Sequence, residues 1–439
     1  MNINTLVDKK IVLLGFGREG AETLRILRKY FPEKHFTIAD KNEELSCSDK
    51  KVTIIKGEGY LRSLGDFDVI IKTPGIPMSG ELKPWAEKIT SATQIFFDSL
   101  DPSNIVIGVT GSKGKSTVSS LLFEVLKESG RKVEIIGNIG IPALKFIKRK
   151  NTIFVCELSS YQLEGLNFHP HISIVTSLFP EHLNYHEGFN NYFAAKKNIT
   201  LGQSEKDFFI VLKQYKKLTS LKTKAKKIIC GNQGEVWRDD KWFYEGNKKL
   251  FPTSIVKILG EHNKDNTLAV IAAAHLLKVD NNVIKKAISQ FCGLPHRLEY
   301  VGENKNVYFY DDAISTTPES TIAAIEVFKT KLGSIILGGQ DRGYKFGGLV
   351  QKLKEHKITA IVLLPDTGKK IEGFINKEKG YFPLLFFTDK MEEAVGFCAE
   401  NTPKKKVCLL STASPSYSLY KNFEEKGDLF KKAVKSLKK

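Results

Sequence analysis

The sequence predicts an α/β protein of three successive domains, each a largely parallel sheet covered by helices. Two observations carry that reading. Strand-like apolar runs alternate with helix-length amphipathic stretches along almost the whole chain, the pattern that parallel strands joined by crossover helices produce. At 439 residues the chain also exceeds what one ordinary core accommodates, so it should divide. Turn-rich breaks suggest domains at 1–97, 98–297 and 298–439.

The first domain opens with KKIVLLGFGREGAETLRILRKY, continues through the strand HFTIAD and closes with DVIIKTPGIP. After DPSN (101–104) the second begins with the strand IVIGVT, a glycine loop and the helix STVSSLLFEVLKES. Its further strands are NTIFVCELS, HISIVTSL, FFIVL and KKIIC, followed by the helical EHNKDNTLAVIAAAHLLK and the break FCGLPHR. The third domain carries strands at NVYFYDD, GSIILGG, ITAIVLL and KVCLLS.

Composition excludes several classes. Hydrophobic residues at 41% and charged residues at 26% are ordinary for a globular protein and argue against disorder. No apolar run approaches the roughly 18 to 20 residues of a membrane span, and the amino terminus does not read as a leader. No membrane insertion is expected. The net charge of +18 raises nucleic acid as a partner. Lysines are spread along the whole length, however, densest in KQYKKLTSLKTKAKK and in the tail, and aromatics do not interleave with them as stacking platforms would. That distribution fits solvated helix faces, so no nucleic acid is expected, although a positive field helps collect an anionic substrate. Six cysteines without a CxxC pair read as reduced thiols of a cytoplasmic protein. A monomer is the expectation.

Two glycine turns carry the local chemistry. IVIGVTGSKGKST (105–117) runs from a strand through a glycine loop into a helix. Backbone N–H groups around Gly111, Ser112, Lys113 and Gly114, with the helix N-terminus behind them, suit a polyphosphate. Lys115 should reach the outer phosphates of ATP, and a hydroxyl of Ser116 or Thr117 should meet Mg²⁺. The strict phosphate-loop pattern asks for glycine at 109, where this chain has Val109 with Gly108 one place early. The second turn, GFGREG (15–20), follows a strand, opens a helix and has Asp40 at the end of the next strand. That is the spacing of a Rossmann dinucleotide turn, which serves a redox cofactor or the diphosphate of a nucleotide-sugar.

With GVTGSKGKST, GNIG (137–140), CELSSYQLE (156–164), EHLNYH (181–186), AAKKNI (194–199), GEHNKDN (260–266) and GLPHR (293–297) in order, the chain resembles the Mur ligases of peptidoglycan synthesis. The ending LLSTASPSYSLYKNFEEKGDLF extends the resemblance through the third domain. It implies a Rossmann-like first domain that binds the UDP substrate, a central P-loop domain that binds ATP, and a Rossmann-like third domain that binds the amino acid. It further implies that D-glutamate is added to UDP-N-acetylmuramoyl-L-alanine through an acyl phosphate, with two Mg²⁺ ions.

Residue by residue, the resemblance gives Lys115, Glu157, His182 and Lys196 catalytic positions. Ser116, Glu157 and His182 would hold the metal, and Lys196 would carry a carbamate. Asn263, Asn266, Arg297 and Asp312 join the ATP site. Arg18, Glu19, Asp40, Lys41, Thr73, Pro74, Gly75 and Asn138 fall where the family holds the UDP substrate. Thr316, Arg342, Ser416, Tyr417 and Phe423 fall at the amino acid. On the residues alone, Lys196 is an ordinary helix lysine.

One stretch departs from the family. Where familiar members read DSKATN, this chain reads DDAISTTPEST (311–321), with Ile314 at the lysine and Tyr417 where a leucine is more usual. L-glutamate or another acidic amino acid therefore stays open, as does a sister ligase or a folylpolyglutamate synthetase. From other classes, an NAD-dependent oxidoreductase leaves the TGSKGKST loop without purpose. A basic nucleic-acid ATPase would need DNA or RNA to stimulate hydrolysis.

Overall fold

The computed structural model describes residues 1–78, 80–138 and 142–437. Ile139 and Gly140 of GNIG, and the last two lysines of the basic tail, lie outside them. The chain folds as two compact units, Met1–Val256 with Glu261–Phe291, and Lys257–Gly260 with Cys292–Lys439. The sheets of the first two expected domains thus share the first unit, and GLPHR falls wholly in the second, ahead of residue 298.

The first unit holds two sheets. One contains β1 (Ile11–Leu14), β2 (Phe36–Asp40), β3 (Val52–Lys56), β4 (Val69–Lys72) and β5 (Ile89–Thr90), ordered β3-β2-β1-β4-β5 and parallel throughout. The order reverses between β1 and β4, and ligands of such sheets bind in the crevice beyond the carboxyl ends at that reversal.

The other sheet contains β6 (Ile105–Thr110), β7 (Val133–Gly137), β8 (Ile153–Glu157), β9 (Ile172–Val175), β10 (Phe208–Leu212), β11 (Lys226–Cys230), β12 (Val236–Arg238), β13 (Trp242–Glu245) and β14 (Lys248–Pro252). Its order is β14-β13-β12-β11-β10-β9-β6-β8-β7. β6 lies between β8 and β9, with Val109 opposite Glu157 and Thr110 opposite Val175. The carboxyl ends of all three strands therefore meet at one place. The antiparallel extension β12 to β14 was not anticipated. Its short strands, VWR, WFYE and KKLFP, hold at most three apolar or aromatic residues in a row, too short a run to register as a core strand.

The second unit holds β15 (Glu299–Asn304), β16 (Val307–Asp311), β17 (Leu332–Gly338), β18 (Ala360–Leu364), β19 (Leu384–Phe387) and β20 (Val407–Leu410), ordered β15-β16-β20-β17-β18-β19. Only the β15 pairing is antiparallel. Alternate residues of β17 enter opposite cores, Ile335 and Leu337 on one face and Ile336 on the other, as the two-residue period of a strand requires. Burial of each such side chain stabilises by about 1.5–3 kcal/mol. These doubly covered strands hold the loops at their ends in place. No helix among the described residues is long and apolar enough to cross a membrane.

Candidate active site

The glycine loop after β6 is built by steric necessity. Gly111 has φ +149°, and a Cβ there would lie 2.0 Å from Thr176 Oγ1. Gly114 has φ +87°, and its Cβ would lie 2.7 Å from Asn266 Oδ1. Only glycine takes these angles without strain and admits such close approach. Gly114 then caps the helix Lys115–Glu128, whose N-terminal dipole faces the loop.

Neighbouring segments brace the loop. Thr176 Oγ1 donates to Lys113 O at 2.6 Å, and Lys113 N donates to Ser177 Oγ at 2.7 Å. Ser112 Oγ donates to Phe179 O at 2.9 Å and meets the Tyr192 hydroxyl at 2.8 Å. The Ser112 hydroxyl and Lys113 N–H are thus engaged in holding the loop's shape, while the Lys113 ammonium pairs with Glu181 at 2.6 Å.

Two cations converge on one carbonyl. Gly111 O accepts from Lys115 Nζ at 2.8 Å and from Lys196 Nζ at 2.9 Å. The two nitrogens are therefore no more than about 6 Å apart, and two full charges at that distance repel by about 3 kcal/mol at an effective dielectric near 20. Lys196, on the helix Phe189–Lys197, is only 2% exposed and lies 4.7 Å from the centre of the Tyr192 ring. Burial, then repulsion from Lys115, lowers its ammonium to about 7 against the pull of Glu181. An anion between the lysines relieves this repulsion.

Glu157 ends β8 beside the loop and is fully buried. Its Oε1 accepts from Asn138 Nδ2 at 2.8 Å, while Oε2 has no partner among the described residues. A buried carboxylate oxygen without a donor is costly, and a cation is a natural partner for it. His182 sits at φ +54°, its ring centre 4.9 Å from that of Tyr161. Burial lowers its imidazole, and Lys115, Lys196 and Lys113 push the same way against Glu181. The neutral, lone-pair form is thereby favoured. Ser116 and Thr117 open the helix behind the loop. Asn266, on the helix Glu261–Leu276, packs under Gly114 and donates to Asn263 Oδ1 at 3.2 Å.

At the crevice beyond β1 and β4, Gly15 has φ +88°, and its Cβ would lie 2.2 Å from Thr73 Oγ1. Asp40 Oδ2 accepts from Phe16 N at 2.6 Å. The glycine turn, Asp40 and the loop Thr73, Pro74, Gly75 are thus brought together. Arg18 and Glu19 open the helix Arg18–Tyr30 beside them, and Lys41 is exposed just beyond Asp40. Burial raises the Glu19 carboxyl against the pull of Lys72. Sequence reasoning missed a clasp here. The Tyr185 hydroxyl lies 2.9 Å from Pro74 O and 3.1 Å from Glu164 Oε2, while Lys72 Nζ donates to Ile76 O at 2.6 Å.

The second unit carries the remaining candidates. Asp312 accepts from Leu298 N at 3.3 Å and from Ser411 Oγ at 2.8 Å. Burial raises its carboxyl to about 6, opposed by those hydrogen bonds, by Ser315 and by the Arg297 charge. Phe423 packs edge-on to His296 at 6.0 Å, and the Arg342 guanidinium lies 5.9 Å from the Tyr417 ring centre. The Ser416 hydroxyl is buried without a partner among the described residues. Thr316 is half-buried beyond Asp312. No described contact joins Thr316 to Arg342.

These two glycine turns and their carboxylate and lysine neighbours define a nucleotide-dependent enzyme. Comparison with known proteins names the class. Residues 109–274 match the Mur ligase middle domain. Over 460 residues the chain is 34% identical to UDP-N-acetylmuramoylalanine--D-glutamate ligase of Acetivibrio thermocellus, covering 98% of this chain and 97% of that protein. The proteins of the same name from Streptococcus agalactiae serotype Ia and Streptococcus pneumoniae serotype 2 are 32% and 33% identical, each with 99% of both chains covered. The fold matches that of the solved UDP-N-acetylmuramate-alanine ligase MurC from Thermotoga maritima, with TM-score 0.61 at 19% identity, covering 98% of this chain and all of that one. The chain belongs to the Mur ligase family and is an ATP-dependent ligase of peptidoglycan-precursor synthesis. Within that family, the full-length relatives it resembles here are those named as D-glutamate ligases.

Proposed function

We propose that this chain acts in the cytoplasm as a single polypeptide, joining D-glutamate to the L-alanine carboxylate of UDP-N-acetylmuramoyl-L-alanine. A carboxylate oxygen attacks the γ-phosphorus of ATP, ADP leaves, and an acyl phosphate forms. The amine of glutamate then attacks the acyl carbon, the C–O bond to phosphate breaks, and the amine's proton passes to solvent. The observation that supports this most is the convergence of Lys115 and Lys196 on Gly111 O, a cationic centre beside a braced phosphate loop.

In this reading the loop and Lys115, with Arg297, hold the triphosphate, Asn263 and Asn266 meet the adenine, and Asp312 meets the ribose. The turn Gly15–Gly20, with Arg18, Glu19, Asp40, Lys41 and Thr73 to Gly75, takes the UDP. Asn138 meets the sugar-peptide. Thr316, Arg342, Ser416, Tyr417 and Phe423 take the amino acid, and Arg342 suits its side-chain carboxylate through a two-pronged pair.

Glu157 and His182, with the hydroxyl of Ser116, suit two Mg²⁺ ions, since the orphaned Oε2 of Glu157 needs a cation. Bound Mg²⁺ supplies Lewis-acid stabilisation of charge on the transferring phosphoryl group. Lys196 carries a carbamate. Its neutral nitrogen, accessible near pH 7, adds to CO₂, a C–O π pair moves onto oxygen, and the N–H proton leaves to solvent. The product is an anion facing Lys115, so repulsion becomes attraction.

Phosphate release with UDP-N-acetylmuramoyl-L-alanine, tested with D-glutamate, L-glutamate, meso-diaminopimelate and lysine, tests the assignment. D-glutamate should give the highest kcat/KM. Higher values with any of the other three would overturn it.

A further inference from the structure

Tyr185 closes the clasp beside the first glycine turn, where acceptors outnumber its protons. Its single O–H lies 2.9 Å from Pro74 O, 3.1 Å from Glu164 Oε2 and 3.3 Å from Ile76 O. Lys72, 7% exposed at the end of β4, donates to Ile76 O at 2.6 Å and reaches Thr73 O at 3.4 Å. The phenol proton is thereby left to Pro74 O and Glu164. Burial, then the charge of Glu164, raises the phenol above its ordinary value, so the hydroxyl keeps that proton.

Three carbonyls of the loop 73–76 are thus turned toward side-chain donors. In a trans peptide the following N–H points opposite to the carbonyl, so the bond to Pro74 O directs Gly75 N–H away from Tyr185. Residues 74 and 77 are prolines and have no N–H to direct. Gly75 is exposed, and a Cβ built on it meets nothing within 4 Å. That side of the loop stays open.

The other end of the clasp belongs to the segment that carries His182. Tyr185 lies on the helix Leu183–His186, which His182 caps. Tyr185 N and His186 N both donate to His182 O at 3.1 Å. Glu164 follows the helix Ser160–Leu163. The Tyr161 ring of that helix stands edge-on to Tyr185 at 4.3 Å and stacks on His186 at 5.7 Å. One short helix therefore has His182 at its start and the loop 73–76 against its last turn.

We infer that Tyr185 is a positioning residue for the UDP substrate: its hydroxyl holds the loop 73–76 against the helix that starts at His182, registering the nucleotide end of the substrate and its reacting carboxylate to one piece of structure. The inference deepens the reading above and rests on it, since there the loop meets UDP and His182 meets the metal. Phenylalanine at 185 keeps the ring against Tyr161 and loses the tie. Glutamine at 164 donates an N–H to the hydroxyl oxygen and leaves the phenol proton to Pro74 O, so the loop stays held.

The test compares Tyr185→Phe and Glu164→Gln with wild type in the full chain. Calorimetry gives Kd for UDP alone, and steady-state assays give KM for each substrate. Hydrogen exchange without ligand is followed at two amides: Ile76 N, which donates to Thr73 O at 3.3 Å, and Thr73 N, which donates to Leu14 O at 2.9 Å. In Tyr185→Phe, Kd for UDP and KM for UDP-N-acetylmuramoyl-L-alanine should each rise at least fivefold, with KM for ATP and for D-glutamate within twofold. Ile76 should exchange at least threefold faster, and Thr73, anchored to β1, at its wild-type rate. Glu164→Gln should weaken UDP binding by no more than twofold. Unchanged UDP affinity or unchanged Ile76 exchange in Tyr185→Phe, an equal rise in all three KM values, or a Glu164→Gln protein as impaired as Tyr185→Phe would overturn the inference. The exchange measurement needs no ligand, so it judges the clasp by itself. A wild type that neither binds UDP nor turns over D-glutamate would instead count against the proposed function.

Discussion

Replacing Lys196 with methionine removes a buried titrating group while nearly keeping its volume. Its folded-state value of about 7 lies below the ordinary 10.5, so between those pH values the unfolded chain binds more protons than the folded one. Stability therefore rises with pH across that window. The unfavourable contribution is full below about pH 7 and fades as pH climbs toward 10.5. At about 1.4 kcal/mol per unit, the full penalty is on the order of 5 kcal/mol, and its change from pH 6 to pH 8 is about 1.4 kcal/mol. For a protein of this size that corresponds to a thermal shift of about 1.5 °C. Differential scanning fluorimetry in bicarbonate-free buffer should show wild type gaining about that much relative to Lys196→Met between the two pH values. Parallel curves for the two proteins would refute the idea that Lys196 is held near neutrality by burial.

Lys115→Ala should abolish turnover with the fold intact, because nothing else described bonds both Gly111 O and Ser112 O from the loop's own helix. Near-normal activity would remove the loop's proposed role. Gly111→Ala, whose Cβ would collide with Thr176 Oγ1 at 2.0 Å, should weaken ATP binding at least tenfold by calorimetry. Glu157→Gln keeps the Asn138 contact but removes the negative charge, so the Mg²⁺ concentration for half-maximal rate should rise at least fivefold; an unchanged Mg²⁺ dependence would count against the metal assignment. Lys196→Ala should regain activity with short-chain carboxylic acids, which can occupy the missing carbamate's position, and a folded variant that gains nothing from them argues against the carbamate.

The phosphate loop was legible because its requirements are local. Glycines at 111 and 114, a strand before and a helix after are all read within a dozen positions. Fully buried strands such as β17 and β18 were legible for the same reason, since helices on both faces demand unbroken apolar runs. The braces were not. Thr176 and Ser177 meet Lys113 only because β9 lies beside β6, a pairing that no spacing within either segment specifies. The clasp of Tyr185 on Pro74 joins positions more than a hundred residues apart. Tyr192 was within reach of sequence reasoning, because it stands one helical turn before Lys196 and so shares its face.

The central claim is that the L-alanine carboxylate becomes an acyl phosphate before the amine arrives. Labelling both carboxylate oxygens of UDP-N-acetylmuramoyl-L-alanine with ¹⁸O and analysing the products by mass spectrometry tests it directly. One labelled oxygen should appear in the released phosphate and the other in the new amide. Phosphate free of label, with product still formed, would contradict the account.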